Sequence, residues 1–508
     1  MRKRTAVCAG LLALSTVVTP AAAAGAPTVV RTDAGAVRGT VTEQVRTFQG
    51  VPYAAPPVGE LRWRPPQPVR PWPGVRHATA PGSVCPQEKN PEAPQGSTNE
   101  DCLYLNVTTP AGGAKRKPVV VWTPGGGFFM GAGSNYGPER LATRGDAVVV
   151  TINYRLGIFG FYGRHGLPGS GTFGLQDQQA ALRWVQRNIA AFGGDPGNVT
   201  LAGESAGGMS TCAQLTSPRS AGLFHRAIMQ SGSCDFSWEN ASQYPNQKAG
   251  SYWVPRERIE ADGDAMAAEL GCPTIDCLRA RPAAELMGQF TRFTSSATGT
   301  PVLPRDPGQA LRDGRFHRVP VLSGNNHDEA RSYLVSFGPI DAAKYQELLV
   351  NMAGPEQAAR IAAEYPLSAY ESPAHAWAAV TTDRIWSCTQ LSAGRALARE
   401  VPVYAYEFAD RHSPLAEGGP IPLGAAHGVE LPYLFALGGI EFPLAPDQRR
   451  LSEQMIDYWT AFARDGDPNG PGRPRWTPEQ ALSLAPSGQG DIRPVDLAAE
   501  HHCAFWQS

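Results

Sequence analysis

The 508-residue chain predicts an α/β fold, a largely parallel sheet with helices on both faces. Two observations carry that prediction. Six runs, 118–123, 147–154, 198–202, 224–230, 319–323 and 403–408, are apolar without alternation, as strands covered on both faces are. Around them lie segments with helical periodicity, clearest over 175–192, 259–270, 374–398 and 448–464. Buried strands alternating with helices favour parallel pairing through helical crossovers. Ahead of the first run, 28–32, 36–40 and 45–49 are short β-branched stretches parted by Gly and Asp turn signals, the pattern of an antiparallel meander. No repeat or low-complexity linker divides the chain, so 27–508 reads as one domain.

Composition narrows the classes. With 42% hydrophobic and 18% charged residues the chain can bury a core and does not resemble a disordered one. Its 55 Gly and 46 Pro show no three-residue period, which excludes a collagen-like helix. Lys and Arg number 45 against 46 Asp and Glu, so no net field exists to hold nucleic acid, and none is expected as a partner.

The first residues read as a targeting segment. Arg2, Lys3 and Arg4 precede an apolar run over 6–18, followed by Pro20 and four alanines, Ala21 to Ala24. This is the layout of a secretory signal peptide over 1–24, cleaved near 24–26. The run is shorter than the ~20 residues a spanning helix needs, and the stretch 501–508 is too polar for a C-terminal anchor. The mature protein is therefore expected to be secreted, without a membrane anchor. Export favours disulfides. Of nine cysteines, Cys8 belongs to the signal peptide and eight remain. Eight allow about 105 pairings. Cys85 and Cys102 bracket a Pro, Gly and Asn-rich stretch, Cys272 and Cys277 a tight turn, and Cys388 and Cys503 stand far apart. Cys212 and Cys234 are left either as a further pair or as buried thiols.

The chemistry begins at Gly203-Glu204-Ser205-Ala206-Gly207, which follows the apolar run 198–202 and opens a helix reaching Ala213. Such a strand-to-helix turn brings backbone against backbone, so glycines flank it, and the serine hydroxyl is pushed out at the sheet edge. Ser205 is the candidate nucleophile. A helix N-cap would explain the serine but not three glycines, Gly203, Gly207 and Gly208, within six residues. An attacking serine creates an oxyanion, which needs N–H donors already in position. The amide of Ala206, first in the helix, is one candidate, and Gly125-Gly126-Gly127-Phe128 at the end of run 118–123 offers more.

Serine also needs a base, and histidine has the appropriate pKa. In α/β hydrolases, which this turn resembles, the order is serine, acid, histidine, with the last two on loops after later strands. Asp328 and Glu329, after run 319–323, compete as the acid; His412 and His427, after run 403–408, compete as the base. Activity should fall in acid as the base becomes protonated, around pH 6 to 7 for an ordinary histidine.

Together these residues resemble the type-B carboxylesterases, the α/β-hydrolase branch that includes cholinesterases and bacterial secreted esterases. The resemblance spans nearly the whole mature chain. It includes Phe48-Gln49-Gly50-Val51-Pro52-Tyr53-Ala54, Glu100-Asp101-Cys102-Leu103-Tyr104-Leu105-Asn106, Asn153-Tyr154-Arg155-Leu156-Gly157, Tyr458-Trp459-Thr460 and Gly466-Asp467-Pro468-Asn469. It implies the α/β-hydrolase fold with inserted helical lid segments, and a serine esterase acting on small-molecule carboxylic esters without metal or organic cofactor. Ser205, Glu329 and His427 take the triad positions, and Gly126, Gly127 and Ala206 those of the oxyanion donors. Glu204 and Phe128 are candidates for the substrate pocket. Cys85–Cys102, Cys272–Cys277 and Cys388–Cys503 resemble the family's three disulfides.

The chain departs from the family's usual pattern at Pro124, before the glycines, and Ala330, after the acid; neither removes a catalytic group. The stretch between Cys85 and Cys102 holds no tryptophan to bind a quaternary ammonium, which disfavours choline esters. Two alternatives remain: a non-catalytic adhesion member of the fold, and a hydrolase of polymeric esters or amides. The sequence leaves oligomeric state open.

Overall fold

The computed structural model describes residues 28–91, 93–112, 115–417 and 421–507. The predicted signal peptide and its cleavage site lie outside the described residues. Eleven strands form the main sheet: β1 (Thr40–Val41), β2 (Val45–Pro52), β3 (Tyr104–Pro110), β4 (Lys117–Thr123), β5 (Val148–Ile152), β6 (Gly194–Glu204), β7 (Arg226–Gln230), β8 (Val321–Asn326), β9 (Val403–Phe408), β10 (Ala481–Leu484) and β11 (Arg493–Val495). Their order in space is β1-β2-β3-β5-β4-β6-β7-β8-β9-β10-β11. Strands β4 to β10 are mutually parallel, and antiparallel pairing is confined to β1-β2-β3-β5 at one side and β10-β11 at the other.

The apolar runs have the expected cause. On β4, Val119 and Val121 join one core with Val199, Leu201, Leu182, Val185 and Met209. The alternate residues Val120 and Trp122 join a second core with Leu451, Met455, Trp459 and Phe462 of the Pro446–Asp465 helix. A strand buried on both faces has no polar side to alternate with. The family resemblance to an α/β-hydrolase fold is thus matched by a largely parallel sheet between helical layers.

Two sequence expectations change. The three N-terminal runs are strands but not one meander: Val29–Arg31 pairs antiparallel with Ala36–Arg38, which pairs parallel with Val75–His77 in a separate sheet, while β2 joins the main one. Pairing partners distant in sequence decided this, and turn signals do not report them. The 374–398 helix is three pieces, Pro373–Thr381, a π-helical turn Thr382–Ser387, and Cys388–Ala398.

The loop after β8 is followed by Ala342–Ala353 and Pro355–Glu364. Their Tyr345, Leu349 and Ile361 pack with Tyr365, Trp377, Ala330 and Leu334 in a third apolar cluster. The disulfides are Cys85–Cys102, Cys212–Cys234, Cys272–Cys277 and Cys388–Cys503, with Cα separations of 4.9, 5.5, 5.3 and 5.3 Å. Cys212 and Cys234, undecided in the sequence, therefore tie the helix after Ser205 to the loop after β7.

Candidate active site

The turn from β6 into the Ala206–Thr216 helix places Ser205 at φ 56° and ψ −122°. That conformation is costly for a residue with a Cβ, and such strain persists only where the surroundings over-determine it. Here they do. The Ser205 amide donates to Gln230 O at 2.9 Å and Ser205 O accepts from Met209 N at 2.9 Å. A Cβ on Gly203 would come within 2.5 Å of the Gly207 backbone, and one on Gly207 would overlap Thr123 O. Glycine is required at both positions by close approach.

The loops after β8 and β9 meet this turn. His427 Nε2 lies 2.8 Å from Ser205 Oγ, and His427 Nδ1 lies 2.6 Å from Glu329 Oε2. Glu329 is fully buried, and its other oxygen accepts from the Asn326 amide at 2.8 Å. Asp328 points elsewhere: it accepts from Ala425 N at 3.0 Å and pairs with Arg331 and Arg411. His412 is exposed on its own loop, its amide bonded to Asp410. Of the competing residues, then, Glu329 and His427 converge on Ser205.

Gly126 and Gly127 adopt φ of 97° and 59°, and a Cβ on Gly125 would meet Glu204 Oε2 at 2.7 Å. Gly126 O accepts from Phe129 N and Met130 N, both at 3.0 Å, which folds the glycine loop tightly beside the serine turn. Ala206 opens its helix, so its N–H has no intrahelical acceptor. The two pocket candidates part company. Glu204 Oε1 is 3.3 Å from His427 Nε2. Phe128, however, is wholly buried, packed against Phe161 and Tyr252 with centroids 5.2 Å away in each case, and does not face the cleft. Its neighbour Phe129 is the exposed ring.

His427 is not an ordinary histidine. Burial opposes its charge, but the carboxylates of Glu204 and Glu329 prevail and push its pKa up to about 9. The midpoint expected at pH 6 to 7 was that of an ordinary histidine, and these two carboxylates favour the charged form of this one.

The carboxylesterase family model matches residues 26–506. The chain belongs to the carboxylesterase family. Among curated relatives, the para-nitrobenzyl esterase of Bacillus subtilis (strain 168) is 36% identical over 458 residues, covering 87% of this chain and 90% of that one. A pyrethroid hydrolase of Rattus norvegicus is 36% identical, covering 91% and 86%, and the cocaine esterase of Homo sapiens 33%, covering 91% and 87%. A solved PNB esterase superposes with a TM-score of 0.77 at 32% identity, over 94% of this chain and 100% of that one. The chain is accordingly a carboxylic-ester hydrolase.

Sequence reasoning missed several groups of this carboxylesterase's site. Glu430 is fully buried; it accepts from Asn326 Nδ2 at 2.6 Å and Gln230 Nε2 at 3.1 Å, and burial raises its pKa. It sits three residues after His427, where no motif marks it. An aromatic wall was also missed. Trp386 lies 4.5 Å from the His427 ring, Tyr333 6.1 Å from it, and Trp238 5.7 and 5.8 Å from Trp386 and Tyr333. These rings come from three separate segments, so no local spacing announces them.

Proposed function

We propose that the mature chain, 27–508, is a secreted single-domain serine esterase in which Ser205, His427 and Glu329 form the reacting triad. The contact of 2.8 Å between Ser205 Oγ and His427 Nε2 is the observation that carries this reading. His427 takes the hydroxyl proton as Ser205 attacks the ester carbonyl, and Glu329 orients the ring through Nδ1 and supports the imidazolium. The proton then passes from His427 to the leaving alcohol, which departs and leaves an acyl-serine. Water, deprotonated by the same ring, releases the acid and restores the serine. Amides of Gly126, Gly127 and Ala206 stabilise each oxyanion, an effect worth about 2.7 to 4 kcal/mol for one donor in other enzymes.

The four disulfides and the signal-like segment over 1–24 support export. The partly exposed Trp238, Tyr333 and Phe129 suit a compact ester with an aromatic or branched apolar group. The name of the para-nitrobenzyl relative points the same way.

Ser205→Ala tests the triad. The variant should fold, lose turnover of aryl esters and no longer react with a fluorophosphonate probe that labels the wild type. Near-wild-type turnover by this variant would refute the proposal. A panel of aryl esters with graded acyl groups tests the substrate class.

A further inference from the structure

The helical stretch 373–398 is irregular where it meets the candidate base. Its π-turn, Thr382–Ser387, is of a rare kind that occurs frequently at functional sites. This turn touches the site twice. The Trp386 ring lies 4.5 Å from that of His427. The Thr382 hydroxyl accepts a hydrogen bond at 3.0 Å from the Ala330 amide, next to Glu329.

On its other side the turn is gripped by the C-terminal segment. Asp383 Oδ1 is 2.6 Å from His501 Nδ1, and Asp383 Oδ2 accepts from the Tyr365 hydroxyl at 2.8 Å. The second ring nitrogen of His501 meets Glu407 of β9. His501, Asp383 and Glu407 are 3%, 4% and 3% exposed. A neutral imidazole has one N–H and would aim a lone pair at one of these carboxylates, whereas an imidazolium donates to both. Burial opposes the charge, but the hydrogen bonds to Asp383 and Glu407 outweigh it and hold the pKa at about 10. His327 is the adjoining titratable group, its ring 5.5 Å from that of His501 and itself held between Asp328 and Glu500. The Cys388–Cys503 disulfide closes the same joint, joining the residue after the π-turn to the one two beyond His501.

We propose that His501 is a positioning residue for ester hydrolysis: by clamping Asp383 to Glu407 it holds the π-turn, and so keeps Trp386 on His427 and Thr382 on the loop bearing Glu329. The inference rests on the triad reading above. His501 itself touches neither Ser205 nor His427; it acts through the turn.

His501→Gln removes the charge and one of the two clamping donors. At a temperature where circular dichroism shows it folded, kcat should fall about tenfold or more with KM changed less than about threefold. The acid limb of kcat/KM should also move by about half a pH unit or more, because the packing around His427 changes. Thr274→Ala is the control. Thr274 caps the Ile275–Ala280 helix through Cys277 N, on an element that holds none of His501, Asp383 and Glu407, and its loss should lower thermal stability while leaving kcat and the acid limb unchanged. A folded His501→Gln enzyme with wild-type kcat and acid limb overturns the proposal. If His501→Gln does not fold, Asp383→Asn, nearly isosteric and uncharged, is read by the same criteria. A wild-type chain that fluorophosphonate does not label sinks the triad reading, whereas a labelled clamp variant with normal turnover sinks only the clamp.

Discussion

Glu204 Oε1 stands 3.3 Å from His427 Nε2, the same ring nitrogen that meets Ser205 Oγ at 2.8 Å. The residue before the candidate nucleophile therefore places a carboxylate beside the atom that must receive the proton. Together with Glu329 at Nδ1, it makes the imidazolium easier to form, which favours proton removal from serine and penalises activity in acid. Glu204→Gln removes one of those charges. The acid limb of kcat/KM should move to lower pH by about one unit, with a reduced plateau rate. An unmoved limb in pH-rate profiles would mean that Glu204 exerts no hold on the base.

Backbone crowding at the turn gives a second expectation. A Cβ on Gly207 would overlap Thr123 O, and neither backbone can yield, since β4 and β6 are paired through Thr123 and Gly203. Gly207→Ala should cost about 3 kcal/mol or more in denaturant unfolding and displace Ser205, with loss of turnover. Gly394, inside the Cys388–Ala398 helix, offers the contrast: its Cβ would touch only Val403 Cγ1 at 3.9 Å. Gly394→Ala should be neutral or stabilising by up to about 1 kcal/mol.

Stability should depend on pH in a definite direction. Burial opposes the charge of His327, His427 and His501, yet their carboxylate partners raise the folded pKa values to about 9, 9 and 10. Each of these groups contributes stability that is complete below the unfolded value of about 6.5 and is lost as pH rises through the folded one. Glu500 runs oppositely: its hydrogen bond to His327 lowers its pKa to about 2, so its contribution is lost as pH falls from the ordinary carboxylate range toward that value. Thermal midpoints should thus be highest near pH 5 to 6.5 and decline toward pH 10. His501→Gln should flatten the alkaline decline. A midpoint that rises between pH 6.5 and 9.5 would contradict these assignments.

The parallel centre of the sheet was legible because burial on both faces writes itself into consecutive residues: Val119, Val120, Val121 and Trp122 are apolar whichever way each points. At the sheet's sides β2 was legible as the run 45–49, but β3 and β10 were not. β3 carries Asn106, Thr108 and Thr109 among its apolar residues, and β10 has four residues, so neither shows a run long enough to recognise. Likewise 374–398 has helical spacing throughout, and the π-turn at Thr382–Ser387 leaves no mark on that pattern.

Local chemistry alone determined that Ser205 occupies a glycine-flanked turn between strand and helix, since that geometry demands small residues within a few positions. From residues alone, it narrowed the acid to Asp328 or Glu329 and the base to His412 or His427; resemblance then selected one of each. Tertiary structure decided which side chains actually meet. His427 is 98 residues from Glu329 and 222 from Ser205, and only the packing of three strand ends brings them within hydrogen-bond reach. It alone turned Phe128 into the core, set Glu430 and Trp386 around the base, and closed His501 between Asp383 and Glu407. Side-chain direction and contacts across the fold depend on how distant segments pack, and nothing in the neighbouring residues encodes them.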